Sequence, residues 1–461
     1  MTYQQHLTDF DDLIDIDDLR GRIRGAVYVP GQSGYDTVGF NACAVNNPAA
    51  VIDAADRDDV AAVIAFAGEH GMTVAVQATG HGAVGTDRRS LLVRTGALDM
   101  CEVDPASRTA RVGAGVRWQR VIDAAAPHGL APVCGSAPGV GVVGLLSGGG
   151  VGPLVRTFGL SADYVRSFEV VTGDGVIRRA APDENAELFW GLRGGKATLG
   201  LITEAVIELP ELSEMYAGAI YFDGADAAPV LRAWRAWAQA LPRTATTSVA
   251  LMRLPDMPGV PPILAGRLTV AVRYASVAPQ SVAAAELASM RAVAAPIFDG
   301  VGPMPYSALG AIHADPSDPV PAHEGGMLLT DLPDEAVQTL LQHAGPESAT
   351  MLMMVELRQL GGALGDEPAV RSAFCHREAA FNLHAVGILV PPIADAVVAD
   401  AAGLVDGMQR WATGGRLPNF VSSADPAIIR SCYDDDTVAW LAALARQLDP
   451  RGVLAVGQVV R

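Results

Sequence analysis

The chain has 461 residues, half of them hydrophobic and 18% charged, enough to bury a large core and to divide into about two or three domains. Its net charge of −18 argues against a nucleic-acid partner or an anionic membrane surface. Five scattered cysteines without a C-x-x-C pair suggest neither a disulfide framework nor a zinc site; with no apolar run of about 18 residues and an acidic, unsignal-like N-terminus, no membrane span is expected, and the expectation is a cytoplasmic enzyme with no metal.

Residues 1–24 read as a short polar helix or two, followed by a strand and turn over 25–36. Ala50–Asp53 is a brief apolar strand. Asp56–Ala67 has an acidic start and apolar residues at helical spacing, and Thr73–Gln77 is the next strand. That alternation is the signature of an α/β unit. The strand runs into the glycine-rich loop Ala78–Gly85, which contains His81 between two glycines. Short strands follow at Ser90–Arg94, Cys101–Val103 and Thr109–Gly113 with meander spacing, then a helix from Trp118. A hairpin spans 163–179 with Asp174-Gly175 as its turn, and Leu201–Leu209 is a strand. Residues 210–410 alternate strands with long Ala-rich helices, which predicts an antiparallel sheet covered on one side. A helix over 437–448 closes the chain.

The glycine-rich stretch Cys134–Gly152 is the most informative segment. Glycine gives up the most backbone freedom on folding, so a run of it marks tight turns or close approach to a ligand. Val140, Val142, Val143, Leu145 and Leu146 interleave with the glycines, which a flexible linker would lack. Gly139–Gly144 matches G-x-G-x-x-G. However, Pro132 and Pro138 interrupt the preceding segment, and Leu145–Pro153 reads as glycine-rich rather than helical, so a Rossmann site is disfavoured. Gly194–Thr198 fails as a P-loop, and Ser147 lacks the G-x-S-x-G of a hydrolase elbow.

Several blocks occur in order: Pro30–Asp36, Gln77–Gly82, Arg111–Gly115, Gly141–Gly150, Phe158–Asp163, Val170–Gly175, Leu188–Gly195, Asn419-Phe420 and Asp449-Pro450. On these residues the chain resembles the vanillyl-alcohol oxidase, or p-cresol methylhydroxylase-type, FAD-binding family in its berberine-bridge-enzyme-like subgroup. The resemblance covers 25–209 and 417–461. It implies an α+β fold: a two-subdomain FAD-binding domain over 1–209, an α+β substrate domain with an antiparallel sheet over 210–410, and a segment 411–461 returning to the first domain. It further implies that Ala78, Thr79, Gly80, His81, Gly82, Ala83 and Val84 hold the FAD pyrophosphate, with His81 bonded covalently to the flavin. Ser136, Gly141, Gly144, Ser147, Gly148, Gly149 and Val151 match flavin-contacting positions. Ile202 and Asn419 match residues at the adenine end and the ring. Where some relatives carry a cysteine for a second covalent bond, this chain has Ala137, and Cys134 reads as a small buried residue. Lys196 departs from the relatives' glycine-rich loop and reads as an exposed loop lysine, or as a positive charge near the cofactor.

The activity implied is hydride removal from a small organic alcohol, amine or hydroxylated natural product, with a base taking the accompanying proton and oxygen as final acceptor. An oxygenating flavoprotein, a non-redox cyclase or isomerase, and a binding protein without turnover are the rival readings. The implied partners are the small-molecule substrate and oxygen, with self-association left open. Glu356 and Arg358 share a strand face, as a catalytic pair or a structural ion pair. Tyr433 and Tyr35 are further proton-transfer candidates. His376, Glu378, Asn382 and His384 would share a face if 376–384 is one strand.

Overall fold

The computed structural model describes residues 16–461, so the expected helices before Ile16 lie outside the described residues. Three sheets organise the chain. The first takes β1 (Ala26–Tyr28), β2 (Ala50–Asp53), β3 (Thr73–Gln77) and β4 (Ser90–Arg94) in the order β1-β2-β4-β3. β4 pairs parallel with both β2 and β3. Parallel pairing needs crossovers: the helix Arg57–Glu69 carries the chain from β2 to β3 on the far side of β4, and residues 78–89 bring it back to β4. Asp56 starts that helix by accepting hydrogen bonds from the backbone N–H groups of Asp58 and Asp59. Val60, Val63, Ile64 and Ala67 are its buried face.

The second sheet is antiparallel, with β5 (Cys101–Asp104), β6 (Thr109–Gly113), β7 (Val165–Val171), β8 (Ile177–Ala180) and β9 (Leu201–Glu208) in the order β5-β6-β9-β7-β8. The three-strand meander expected over 90–113 is therefore split. Ser90–Arg94 belongs to the first sheet, and only Cys101–Asp104 and Thr109–Gly113 pair with one another.

The third sheet contains β10 (Glu214–Asp223), β11 (Ala245–Leu254), β12 (Arg267–Ser276), β13 (Phe298–Asp299), β14 (Gly302–Pro305), β15 (Ala322–Leu329), β16 (Met354–Gln359) and β17 (Phe381–Ile388). Its main path is β13-β10-β12-β11-β16-β17-β15, antiparallel throughout, with β14 also on β10. Period-2 alternation gives it two different faces. Val249, Leu251, Val270, Val272, Val355, Leu357 and Leu383 point to one side and pack under the helices Ala227–Ala240, Gln280–Arg291, Asp334–Ala344 and Ala394–Met408. The opposite face carries Ser248, Arg273, Glu324, Glu356, Arg358, Asn382 and His384, because these are the alternate residues in the same registers. A sheet with one greasy and one ionic face has something built against the ionic side.

The C-terminal segment folds back onto the first two sheets. Val74 N–H donates to Val453 O at 2.7 Å, and the buried Asp449 carboxylate accepts from Val453 and Leu454 N–H at 2.8 and 2.9 Å. Val453 and Leu454 sit in the core of the first sheet. No helix among the described residues is long and apolar enough to cross a membrane.

Candidate active site

Two glycine loops meet at the edge of the first sheet. Ala78–Gly85 leaves β3, and its Gly80 (φ +75°) lies so near Gly39 that a Cβ there would stand 2.5 Å from the Gly39 Cα. Gly141, in the second loop, comes against Ala78 and Thr79, and its N–H reaches Thr79 Oγ1 at 3.4 Å. Ala78, Gly82 and Gly144 are exposed, so the space between the loops is open.

The glycines of the second loop divide into two kinds. A Cβ on Gly139 or Gly144 would meet nothing within 4 Å. A Cβ on Gly148 would fall 2.0 Å from Asn419 Oδ1, on Gly149 (φ +98°) 2.4 Å from the Phe374 ring, and on Gly152 1.8 Å from Cys134 O. The latter group serves close packing; the former borders open space. Val142–Ser147 forms a short helix where the sequence reading expected none. No strand leads into it, so the Rossmann reading still fails on context.

His81 is fixed in this opening. Its ring stacks on Phe40 at 3.8 Å between centroids, and Nδ1 lies 3.0 Å from Thr79 Oγ1. Burial, countered by Glu324 and reinforced by Arg117, lowers its pKa to about 4. The imidazole is therefore neutral near pH 7, the form in which a ring nitrogen is nucleophilic.

The ionic face of the third sheet closes the same opening. Glu356 is fully buried. It accepts from Arg273 Nη1 at 2.5 Å, Arg358 Nε at 2.6 Å and Ser248 Oγ at 2.8 Å. Burial opposes its ionisation, but Arg358 and Arg273 hold its pKa well below the ordinary carboxylate value. His313 Nε2 stands 3.4 Å from the same carboxylate, and burial together with the two arginines lowers that imidazole to about 4. Arg358 reaches Ser136 Oγ at 3.3 Å, and Ser136 donates to Asp315 Oδ2 at 3.1 Å. Ser136, a position matched to the flavin, is thus in contact with Arg358, read from the sequence as half of a catalytic pair or of a structural ion pair.

Beside them, His384 Nε2 lies 3.5 Å from Glu324 Oε1, and Ser422 Oγ donates to the same carboxylate. The His384 ring meets Phe420 edge-on at 5.1 Å, and Arg358 lies over the same Phe420 ring at 5.1 Å. Burial works against the Glu324 charge, yet His384 and Ser422 keep its pKa below the ordinary value.

Four expectations need correction. Tyr433 is buried, and its hydroxyl donates to Gly194 O at 3.0 Å, so it props the 194–200 loop. Tyr35 donates to Pro48 O at 2.6 Å and packs against Val51, Ala75 and Leu92. Neither joins Glu356, because each hydroxyl is spent on a backbone carbonyl. His376 has φ +63° in a loop, and the strand begins only at Phe381, so Asn382 and His384 share the face without it. Lys196 is part-buried, not an exposed loop residue: its Nζ donates to Asn419 Oδ1 at 2.7 Å.

The remaining matched positions have protein neighbours. Ser147 Oγ donates to Gly144 O, Val151 is packed with Leu160 and Phe374, and Ile202 belongs to the main core. Cys134 is buried 3.3 Å from the Tyr306 hydroxyl, and burial pushes its thiol up to about 12. Among the described residues no cluster of three or more His, Cys, Asp or Glu side chains could hold a metal. Glu324, Asp315 and His313 are the site residues the sequence reading missed.

Residues 48–181, which contain both glycine loops, match the family described as "FAD binding domain". The solved structure of 6-hydroxy-D-nicotine oxidase from Arthrobacter nicotinovorans superposes with a TM-score of 0.83 at 22% identity, covering 95% of this chain and 98% of that one. Residues 48–181 therefore form an FAD-binding domain, and the chain shares the fold of that oxidase. In sequence, this flavin-binding chain is 32% identical to (R)-6-hydroxynicotine oxidase of Paenarthrobacter nicotinovorans over 203 residues. That match covers 43% of this chain and 44% of the relative, so it spans less than half of that protein. A longer match, 27% over 419 residues and 87% of each chain, is to the FAD-linked oxidoreductase sorD of Penicillium rubens. The open glycines 139 and 144, the exposed Ala78 and Gly82 and the neutral His81 between them are features that fit FAD.

Proposed function

We propose that the protein is an FAD-dependent oxidase of a small alcohol, amine or hydroxylated natural product, with its cofactor attached through His81. The observation that carries this reading is the His384–Glu324 pair beside Arg358 and Phe420, on the sheet face that meets the glycine loops. When bound, FAD supplies a two-electron acceptor that takes the substrate hydride and passes both electrons to oxygen as hydrogen peroxide.

The chain's own residues do the rest. His384 takes the O–H or N–H proton released as the substrate gives up its hydride. Glu324 stays ionised and stabilises the imidazolium so formed, as the buried carboxylate does in a catalytic triad. Phe420 offers an aromatic wall on which a flat substrate can rest. Arg358, oriented by Glu356 and Ser136, presents a fixed donor to a substrate oxygen. The relatives named as oxidases and oxidoreductases support the class of reaction.

A panel of alcohols, amines and hydroxylated aromatics tests this reading. An accepted compound is expected to bleach the yellow flavin absorbance anaerobically, and in air to yield one peroxide per substrate oxidised. Conversion without bleaching would leave a non-redox cyclase. Labelled oxygen appearing in the product would make the protein an oxygenase.

A further inference from the structure

Lys196 is the single lysine among 33 Lys and Arg residues. A chain that uses arginine everywhere else has placed one ammonium between Gly148 and Asn419. Its backbone is held in the left-handed region, φ +55°, where a non-glycine residue is uncommon. The Ser147 carbonyl maintains that bend by accepting from both Gly194 and Lys196 N–H, at 3.0 and 2.9 Å. The side chain is thereby led across Gly148, where a Cβ would stand 2.9 Å from Lys196 Cε. It ends on Asn419 Oδ1 at 2.7 Å, while Asn419 Nδ2 donates to Leu145 O at 2.8 Å. Both ends of the Asn419 amide are consequently fixed, and the lysine is fixed with it.

Among the described residues no carboxylate forms a salt bridge with this ammonium, which bonds the Asn419 amide instead. The charged and titratable groups acting on it are Cys432 and, from the third sheet, Glu324. Glu324 is already bonded by Ser422 and lies beside His384, and Cys432, with Arg416 nearby, has its thiol raised by burial to about 11. His81, on the opposite loop, is neutral near pH 7. Burial lowers the Lys196 amine to about 8, a position from which a new negative charge nearby would pull it upward.

Hydride transfer brings such a charge: two electrons and one proton enter the oxidised cofactor and leave it one unit more negative. We propose that Lys196 is a positioning and tuning residue that orients Asn419 and, as a cation beside it, favours the reduced anionic form of FAD. This rests on FAD occupying the cleft but not on the oxidase assignment. In the alkaline range the coupled change is two electrons with two protons, one on the cofactor and one on the Lys196 amine. No further reactant is required. Arginine could keep the charge, and methionine could keep the packing without it.

The test is the two-electron reduction potential of FAD-loaded wild type, Lys196→Met and Lys196→Arg, poised chemically against redox dyes without any substrate. Lys196→Met is expected to lower the reduction equilibrium at neutral pH by about tenfold, ~30 mV for a two-electron couple, and Lys196→Arg to recover most of it. In the wild type, protons taken up per two electrons should rise from one towards two above about pH 8, a break that Lys196→Met lacks. A loaded Lys196→Met protein with wild-type potential and pH slope would overturn the proposal. Should that variant fail to fold or load, the wild-type titration decides alone, and a single slope through about pH 8 would overturn it. A protein that binds no FAD would instead remove the premise, and peroxide assays play no part in either outcome.

Discussion

Replacing His384 with alanine is expected to slow turnover by about 100- to 10,000-fold, the range for losing a positioned acid–base group. FAD should remain bound, because His384 lies on the third sheet and not on either glycine loop. The loss should fall on the anaerobic reductive step, where the proton leaves the substrate, and not on reoxidation by oxygen. Glu324→Gln keeps the shape and removes the charge that would stabilise the imidazolium, so it should show a smaller loss in the same step. Rapid-mixing measurement of flavin bleaching with an accepted substrate separates the two half-reactions. Wild-type bleaching by the His384→Ala protein would exclude this residue as the proton acceptor.

Glu356→Gln is expected to destabilise the fold by about 3–5 kcal/mol, the range for removing one partner of a buried ion pair. The carboxylate is enclosed with Arg273 and Arg358 against it, and a neutral amide would leave both guanidiniums without compensation. The folded pKa is depressed below the unfolded value of about 4.5. Its contribution is therefore present above that value and lost as pH falls through the folded one. Urea unfolding of wild type and variant at neutral pH, repeated in acid, measures both effects, and the difference between them should shrink in acid. The result decides the role that alternation along β16 leaves open. A stable Glu356→Gln protein without turnover would make Glu356 the base; an unstable one makes it the strut that aims Arg358.

The glycine loops, the helix from Arg57 and the alternation in β16 are legible because each follows from local chemistry: Gly spacing, an Asp56 cap and period 2. Glu324 was not legible. Its strand reads Ala-His-Glu-Gly-Gly-Met-Leu-Leu, with two glycines in the middle, and it exists because β17 pairs along its whole length. His384 was visible, but its grouping with His376 held only if the strand reached back to residue 376, and it begins at Phe381. The tyrosines misled for a related reason. A phenol is a good proton-transfer group, but whether it is free depends on which carbonyl the fold brings to it, and Gly194 is 239 residues from Tyr433. Lys196 looked like a surface residue for want of any sequence link to Asn419, 223 residues away.

The most direct test of the account is acid precipitation of the purified protein followed by mass measurement of the peptide carrying His81. The account predicts a yellow pellet, a colourless supernatant and the mass of FAD on that peptide, lost in His81→Ala. A colourless pellet under a yellow supernatant would contradict the covalent anchor, and a protein with no flavin in either fraction would contradict the cofactor itself.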